Sequence, residues 1–203
     1  MKSKIKILFL TILLPLIALG QKRLTNEQVL EDYKILKNVL TKGHPNLYGY
    51  TSKSEWDSLF TDFEENKITT IGDNNDLYKS ITELTDYVGD GHLIVMRPQL
   101  DSVPNLFPLW LKIINKKLYT DTDDFDIPVG SEIISIDGVN AMELRDRLMK
   151  YAPSDGFNET KKDRQIEMKF GILHFYEFGA KPAYQVEYKT SSNEVITNTI
   201  ESQ

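Results

Sequence analysis

The stretch Val129-Gly130-Ser131-Glu132-Ile133-Ile134-Ser135-Ile136-Asp137-Gly138-Val139 decides the fold. Its central isoleucine-rich run predicts a short buried strand, because brief apolar runs bounded by turn residues are typical of buried strands. Asp137-Gly138 predicts a tight turn with positive φ. An amphipathic helix from Ala141 to Tyr151 follows at once. We therefore expect a strand, a turn and a helix in direct succession.

The sequence on either side of this stretch also predicts strands. Leu106 to Ile114 and Lys117 to Thr122 are β-rich runs, and the Asn115-Lys116 pair between them predicts a hairpin. Beyond a helical stretch from Arg164 to Tyr176, two more strand runs follow, at residues 184–189 and 194–200. A hairpin followed by strand, turn and helix resembles the signature segment of PDZ-like domains.

The N-terminal part predicts three helices instead. Thr25-Asn26-Glu27-Gln28 and Ser52-Lys53-Ser54-Glu55 both have the pattern of a capping box, and apolar residues at helical spacing follow each one. A third apolar-periodic stretch begins after Gly72-Asp73-Asn74-Asn75 and ends at Gly89, a residue typical of helix C-caps. Together these patterns predict a small helical bundle.

Gly89-Asp90-Gly91-His92 lies between the third helix and Leu93-Ile94-Val95-Met96, which predicts a strand. Histidine suits proton transfer because its pKa lies near neutrality. Asp90 has two interpretations, since it can orient His92 or bond its own backbone in a glycine-rich turn. His44, before Pro45, is expected to end the first helix and pack locally. His174, on an aromatic-rich helix, is expected to be half-buried.

Four motifs in order resemble the tail-specific, C-terminal-processing and tricorn-type serine peptidase family. They are His44-Pro45-Asn46-Leu47-Tyr48, Gly89-Asp90-Gly91-His92, Pro108-Leu109-Trp110-Leu111-Lys112-Ile113 and Gly130 to Gly138. The resemblance covers nearly the whole chain after its N-terminal segment. It implies an N-terminal helical region, a PDZ-like domain and then an α/β domain that carries a serine nucleophile and its oxyanion hole.

The same resemblance bears on His92. In the tricorn-type branch a histidine in a matching segment is the general base that takes the serine proton, which would make His92 that base. In the tail-specific branch the base is a lysine, and His92 would be structural. Leu93 stands where a small hydroxyl residue often follows the histidine. Both roles of His92 stay open at this point.

The sequence shows no evident nucleophile for this base. It has no cysteine and no Gly-x-Ser-x-Gly elbow, and it ends at Gln203. Ser131 and Ser154 fall in turns, where local backbone hydrogen bonds explain them. Two hypotheses follow: the chain is the N-terminal part of a secreted serine peptidase and inactive alone, or it is a non-catalytic PDZ-like module that binds an extended peptide or a protein C-terminus by strand addition.

The N-terminus predicts export. Lys2, Lys4 and Lys6 precede an apolar run from Ile7 to Leu19, and Gly20 ends a small-residue cleavage site. A spanning helix needs about 20 apolar residues, so a cleaved signal peptide is favoured over a membrane anchor. The resemblance suggests a periplasmic or extracellular location.

The sequence predicts an α+β fold: a signal peptide at 1–20, a helical region at 21–92, and a PDZ-like domain with the lead-in to a catalytic domain at 93–203. A net charge of −6 argues against a nucleic-acid partner. No cofactor is predicted, and His44, Asp90 and His92 lack the spacing of a metal site. The oligomeric state is left open.

Overall fold

The computed structural model describes residues 23–100 and 102–203. The predicted signal peptide, residues 1–20, lies outside the described residues. The helices are α1 (Asn26–Asn38), α2 (Lys53–Asp62), α3 (Asn74–Asp86), α4 (Ala141–Leu148) and α5 (Glu159–Phe178). The strands are β1 (Leu111–Ile114), β2 (Lys117–Thr120), β3 (Glu132–Ile136), β4 (Val139–Asn140), β5 (Ala183–Lys189) and β6 (Val195–Glu201). Within these described ranges no helix is both long and apolar enough to cross a bilayer.

Helices α1 to α3 enclose the first of two hydrophobic cores. Both predicted capping boxes are present, Thr25 with Gln28 at the start of α1 and Ser52 with Glu55 at the start of α2. Within each box, the side chain of each residue accepts a hydrogen bond from the backbone N–H of the other. Trp56 is fully buried, and its indole N–H donates to the Leu47 carbonyl at 2.9 Å. The helical region predicted from these caps is confirmed.

The second core lies between an antiparallel sheet and helices α4 and α5. The strands run in the order β1-β2-β3-β5-β6, and β4 pairs with β3 beside this path. Both predicted turns form: Asn115 and Lys116 have φ of 51° and 67°, and Asp137 and Gly138 have φ of 51° and 79°. The prediction of an α+β fold is confirmed.

The chain between α3 and β1 differs from the prediction. Residues 93–96 form no strand, and β1 starts at Leu111 rather than at Leu106. Leu106 nevertheless pairs with Gln203 through backbone bonds of 2.7 and 3.1 Å. A strand needs a neighbour for its backbone groups, and among the described residues 93–96 have none.

His174 is almost fully buried, at 2% exposure, rather than half-buried as predicted. Its ring packs among aromatic rings, with centroids 4.7 Å from Phe178, 5.4 Å from Tyr184 and 5.8 Å from Phe107. No hydrogen-bond partner for the ring atom Nδ1 lies among the described residues. Burial therefore lowers the pKa of His174 to about 4.

We expect His174 to make the fold acid-sensitive. Its pKa is about 6.5 when unfolded and about 4 when folded, so the unfolded chain binds the extra proton. The resulting stability is complete above pH 6.5 and is lost as the pH falls towards 4, by about 3 kcal/mol at the limit. Urea unfolding of the wild type and of His174→Phe across this range measures it. Equal pH dependence in both proteins would contradict the prediction.

Candidate functional site

Gly89-Asp90-Gly91-His92 forms a tight turn directly after α3. The Gly89 N–H donates to the Asp86 carbonyl at 3.2 Å, and Gly89 adopts a φ of +63°, which glycine tolerates at little cost. The Leu93 N–H donates to the Asp90 carbonyl at 3.2 Å and closes the turn. The chain therefore reverses within a few residues and places His92 at its tip.

Asp90 connects the polar groups of this turn. Its Oδ1 accepts the backbone N–H of His92 at 2.7 Å, and the ring atom Nδ1 of His92 lies 3.4 Å from the same oxygen. The bond from the His92 N–H holds the pKa of Asp90 below its usual value. The ionised carboxylate favours the His92 tautomer with its proton on Nδ1. Nε2 of His92 is then free to accept a proton.

His44 holds the other oxygen of this carboxylate. The Asn46 N–H donates to Nδ1 of His44 at 3.3 Å, so the proton of the neutral ring lies on Nε2. This Nε2 donates to Oδ2 of Asp90 at 3.2 Å. The His44 side chain is 11% exposed, so a largely buried donor holds the Asp90 carboxylate in position. His44, Asp90 and His92 thus form one group that joins the segment after α1 to the turn after α3.

The His92 ring itself faces solvent. Its side chain is 92% exposed, and Nε2 has no hydrogen-bond partner among the described residues. An exposed imidazole beside a carboxylate can accept a proton from a hydroxyl group that approaches it. An open Nε2 suits a base whose nucleophile approaches from a separate segment.

The loop that contains Asp155 and Gly156, far from the turn in sequence, is hydrogen-bonded to the turn. The Gly156 N–H donates to the Gly89 carbonyl, and the Gly91 N–H donates to Oδ1 of Asp155, both at 2.9 Å. Lys162 of α5 also pairs with Asp86 at the end of α3. Three links between distant segments therefore hold the backbone that carries His92.

Tyr50 packs against both glycines of this junction. A Cβ added to Gly89 would lie 2.8 Å from the Tyr50 ring, and one added to Gly156 would lie 2.7 Å from it. Both distances are too short for ordinary carbon contacts. The two glycines therefore allow the aromatic ring to close over the backbone junction.

Asp90, His92 and Asp155 have ligand atoms within 4.8 Å of one another, so the fold brings together residue types that bind divalent cations. The sequence did not predict this grouping, because Asp155 is distant in the chain. Lys161 already supplies positive charge there, with its Nζ 3.8 Å from Oδ2 of Asp155. Both aspartates also accept backbone N–H groups.

The predicted site residues divide into two groups. The structure brings His44, Asp90 and His92 together, although His44 was expected only to end a helix and pack locally. His174 lies in the second core and takes no part. Sequence reasoning missed Asp155 and Tyr50, since neither forms a motif and only the fold places them beside the turn.

No family model matches the sequence, and no curated protein matches it. The similar solved structures include three of CPAF, a chlamydial serine protease. Mature CPAF with lactacystin gives a TM-score of 0.58 at 12% identity, over 88% of this chain and 35% of that one. A serine-to-alanine mutant gives 0.60 at 12% identity, over 88% and 34%. A further structure of mature CPAF gives 0.58 at 13%, over 88% and 34%.

At such identities the likeness shows a shared fold, that of the matched part of CPAF. It extends over most of the present chain, which spans only 34 to 35% of the CPAF chains it matches.

Proposed function

We propose that this chain is the N-terminal portion of a secreted serine peptidase of the tail-specific or tricorn type, and that His92 is its general base. The observation that carries the proposal is the group of His44, Asp90 and His92. In it a partly buried histidine bonds a carboxylate, the carboxylate lies 3.4 Å from Nδ1 of an exposed histidine, and Nε2 of that histidine faces solvent. The fold shared with CPAF supports the assignment.

The chemistry follows from the order of these groups. A serine hydroxyl that reaches Nε2 of His92 loses its proton to the ring while its oxygen attacks the peptide carbonyl. The imidazolium then passes this proton to the leaving amine, and the Asp90 carboxylate stabilises the positive ring without taking the proton. The serine and the oxyanion hole would come from polypeptide outside the 203 residues. Residues 1–203 alone are then expected to be inactive, because the oxyanion hole supplies a large part of acyl-transfer catalysis.

Export is part of the proposal. It rests on the basic and apolar N-terminal segment, which has the pattern of a signal peptide. A periplasmic or extracellular peptidase would meet unfolded or partly degraded chains, which offer extended peptide segments. A substrate class of this kind suits a site that lies open to solvent.

The experiment begins with the coding sequence downstream of the Gln203 codon. We expect it to continue into a domain with a nucleophilic serine, in frame or after one frameshift. The encoded protein, treated with a fluorophosphonate probe, should be labelled at a serine outside residues 23–203, and His92→Ala should abolish the labelling. Labelling at a serine within 23–203, or labelling that His92→Ala leaves unchanged, would refute the proposal.

One observation favours a second function, that of a non-catalytic PDZ-like peptide-binding module. Strand β6 pairs with β5 over seven residues and has no strand on its other side among the described residues. Such an edge can accept an extended peptide as an additional strand. An unrelated gene directly after the Gln203 codon, together with micromolar peptide binding, would favour this module over the peptidase.

A further inference from the structure

Two hollows share one aromatic wall beside the His92 turn. Tyr50, Thr51, Tyr87 and Phe157 line both hollows, whose volumes are about 370 and 690 Å³. The smaller hollow also reaches Gly89, the first residue of the turn. Each hollow lies in the size range of ligand sites. We call the three aromatic residues among them, Tyr50, Tyr87 and Phe157, the aromatic wall.

The three rings of this wall are exposed to solvent, and the Tyr50 ring is held in place. Phe157 is 87% exposed, Tyr50 48% and Tyr87 47%. Tyr50 cannot move freely, because it packs on Gly89 and meets Phe157 edge to face at 5.8 Å. Contiguous exposed aromatic surface is typical of interaction sites in soluble proteins. Tyr50 therefore loses little conformational entropy on binding.

The charge around the wall is negative. Glu55 and Asp62 line the larger hollow, and among its described lining residues there is no Lys or Arg. The Ser52 hydroxyl and backbone N–H bond to Glu55 and hold its pKa below the usual value, so it stays charged near neutral pH. In the smaller hollow the cation of Lys162 is already paired with Asp86. An occupant should therefore combine an aromatic group with positive charge.

We infer that the aromatic wall binds a peptide segment in which an aromatic side chain stands next to lysine or arginine. The inference rests on the proposed peptidase function, for which this cleft is the subsite that selects substrates beside the base. The aromatic side chain stacks on Phe157 and Tyr87, and the cation faces Asp62 and Glu55. Peptides with acidic residues at these positions are excluded by like-charge repulsion.

Fluorescence anisotropy with the labelled peptide Ala-Lys-Phe-Lys-Ala tests the inference directly on the purified 203-residue protein. We expect a Kd on the order of 10–100 µM, and binding about tenfold weaker when the peptide's phenylalanine is serine or its lysines are glutamate. Phe157→Ser should weaken binding about tenfold, since it removes a stacking partner from an exposed loop without disturbing a core. Val129→Ser, at the 58% exposed Val129 of the loop before β3, is the matched control and should bind normally.

A second variant tests the expected preference for positively charged peptides. Asp62→Lys, at the last residue of α2, should weaken binding of the lysine peptide about fivefold and strengthen that of the glutamate peptide. Equal binding of all three peptides, or unchanged binding by Phe157→Ser, would overturn the inference. So would a dimer that forms without peptide and is lost in Phe157→Ser, because the wall would then bind a second copy.

The two proposals fail separately. Selective peptide binding without any serine labelling of the downstream-extended protein would keep the cleft and reject the peptidase. Labelling that depends on His92, in a protein whose peptide binding ignores Phe157, would keep the peptidase and reject the cleft.

Discussion

In the proposed full-length peptidase, His92→Ala is expected to lower kcat/KM by about 10⁴-fold, which corresponds to about 5 kcal/mol of lost transition-state stabilisation. The serine would then have no group to accept its proton. KM should change little, because the imidazole contacts the nucleophile rather than the distant parts of the substrate. Steady-state kinetics on a fluorogenic peptide, with urea unfolding alongside, measure both effects.

The controls for this prediction come from the same group of residues. His92 is exposed, so stability should be unchanged in His92→Ala. Asp90→Asn should also lower kcat, by up to about 10⁴-fold, because the amide no longer orients the ring or stabilises its charge. His44→Gln acts only through Asp90 and should cost about tenfold, mainly in kcat. A loss in His44→Gln as large as that in His92→Ala, without loss of stability, would contradict the assigned order of roles.

Local signals in the sequence predicted the elements well. The capping residues Thr25 and Ser52 mark helix starts, and Asn115-Lys116 and Asp137-Gly138 mark turns, because each effect depends only on neighbouring residues. Residues 93–96 show where such signals fail. Their apolar pattern suits a strand, but a strand also depends on a partner elsewhere in the fold.

The candidate site was predictable only in part. His92 stood out through its glycine-rich turn and the order of the motifs around it. The bond from His44 to Asp90 spans 46 positions in the sequence, and the bond from Gly91 to Asp155 spans 64. No local sequence pattern can predict contacts between residues so far apart. The wall formed by Tyr50 and Phe157 is equally non-local. Such contacts follow from the packing of the two cores on each other.

Arg145 is a further residue that sequence reasoning could not place. Arginine is rarely buried without partners, and an amphipathic helix pattern puts it in solvent. Here it is 1% exposed on α4, and it donates from Nε and Nη2 to both oxygens of Asp163 at 2.7 and 3.1 Å. Nη2 also reaches Glu159 at 2.8 Å, and Nη1 reaches Asp146 at 2.9 Å. The guanidinium therefore joins α4 to α5.

The energetics of this group favour a charged arginine. Burial works to lower the pKa of Arg145, but the bonds that it donates to Asp163 and Glu159 outweigh burial and raise the pKa overall. The pair with Asp163 is bidentate, which is the strongest geometry for these two groups. Removing the cation would leave Asp163, whose side chain is only 17% exposed, without its partner.

We therefore expect Arg145→Ala to lower the free energy of unfolding by about 3–5 kcal/mol, the cost of leaving a buried charge unpaired. Urea unfolding followed by circular dichroism measures it. The double variant Arg145→Leu with Asp163→Leu should recover part of the loss, because an apolar pair leaves no unpaired charge in that position. Lys53→Ala is the matched surface control: its 2.7 Å pair with Asp57 is exposed, so stability should be nearly unchanged. Equal losses in Arg145→Ala and Lys53→Ala would mean that the bonds from Arg145 to α5 do not stabilise the fold.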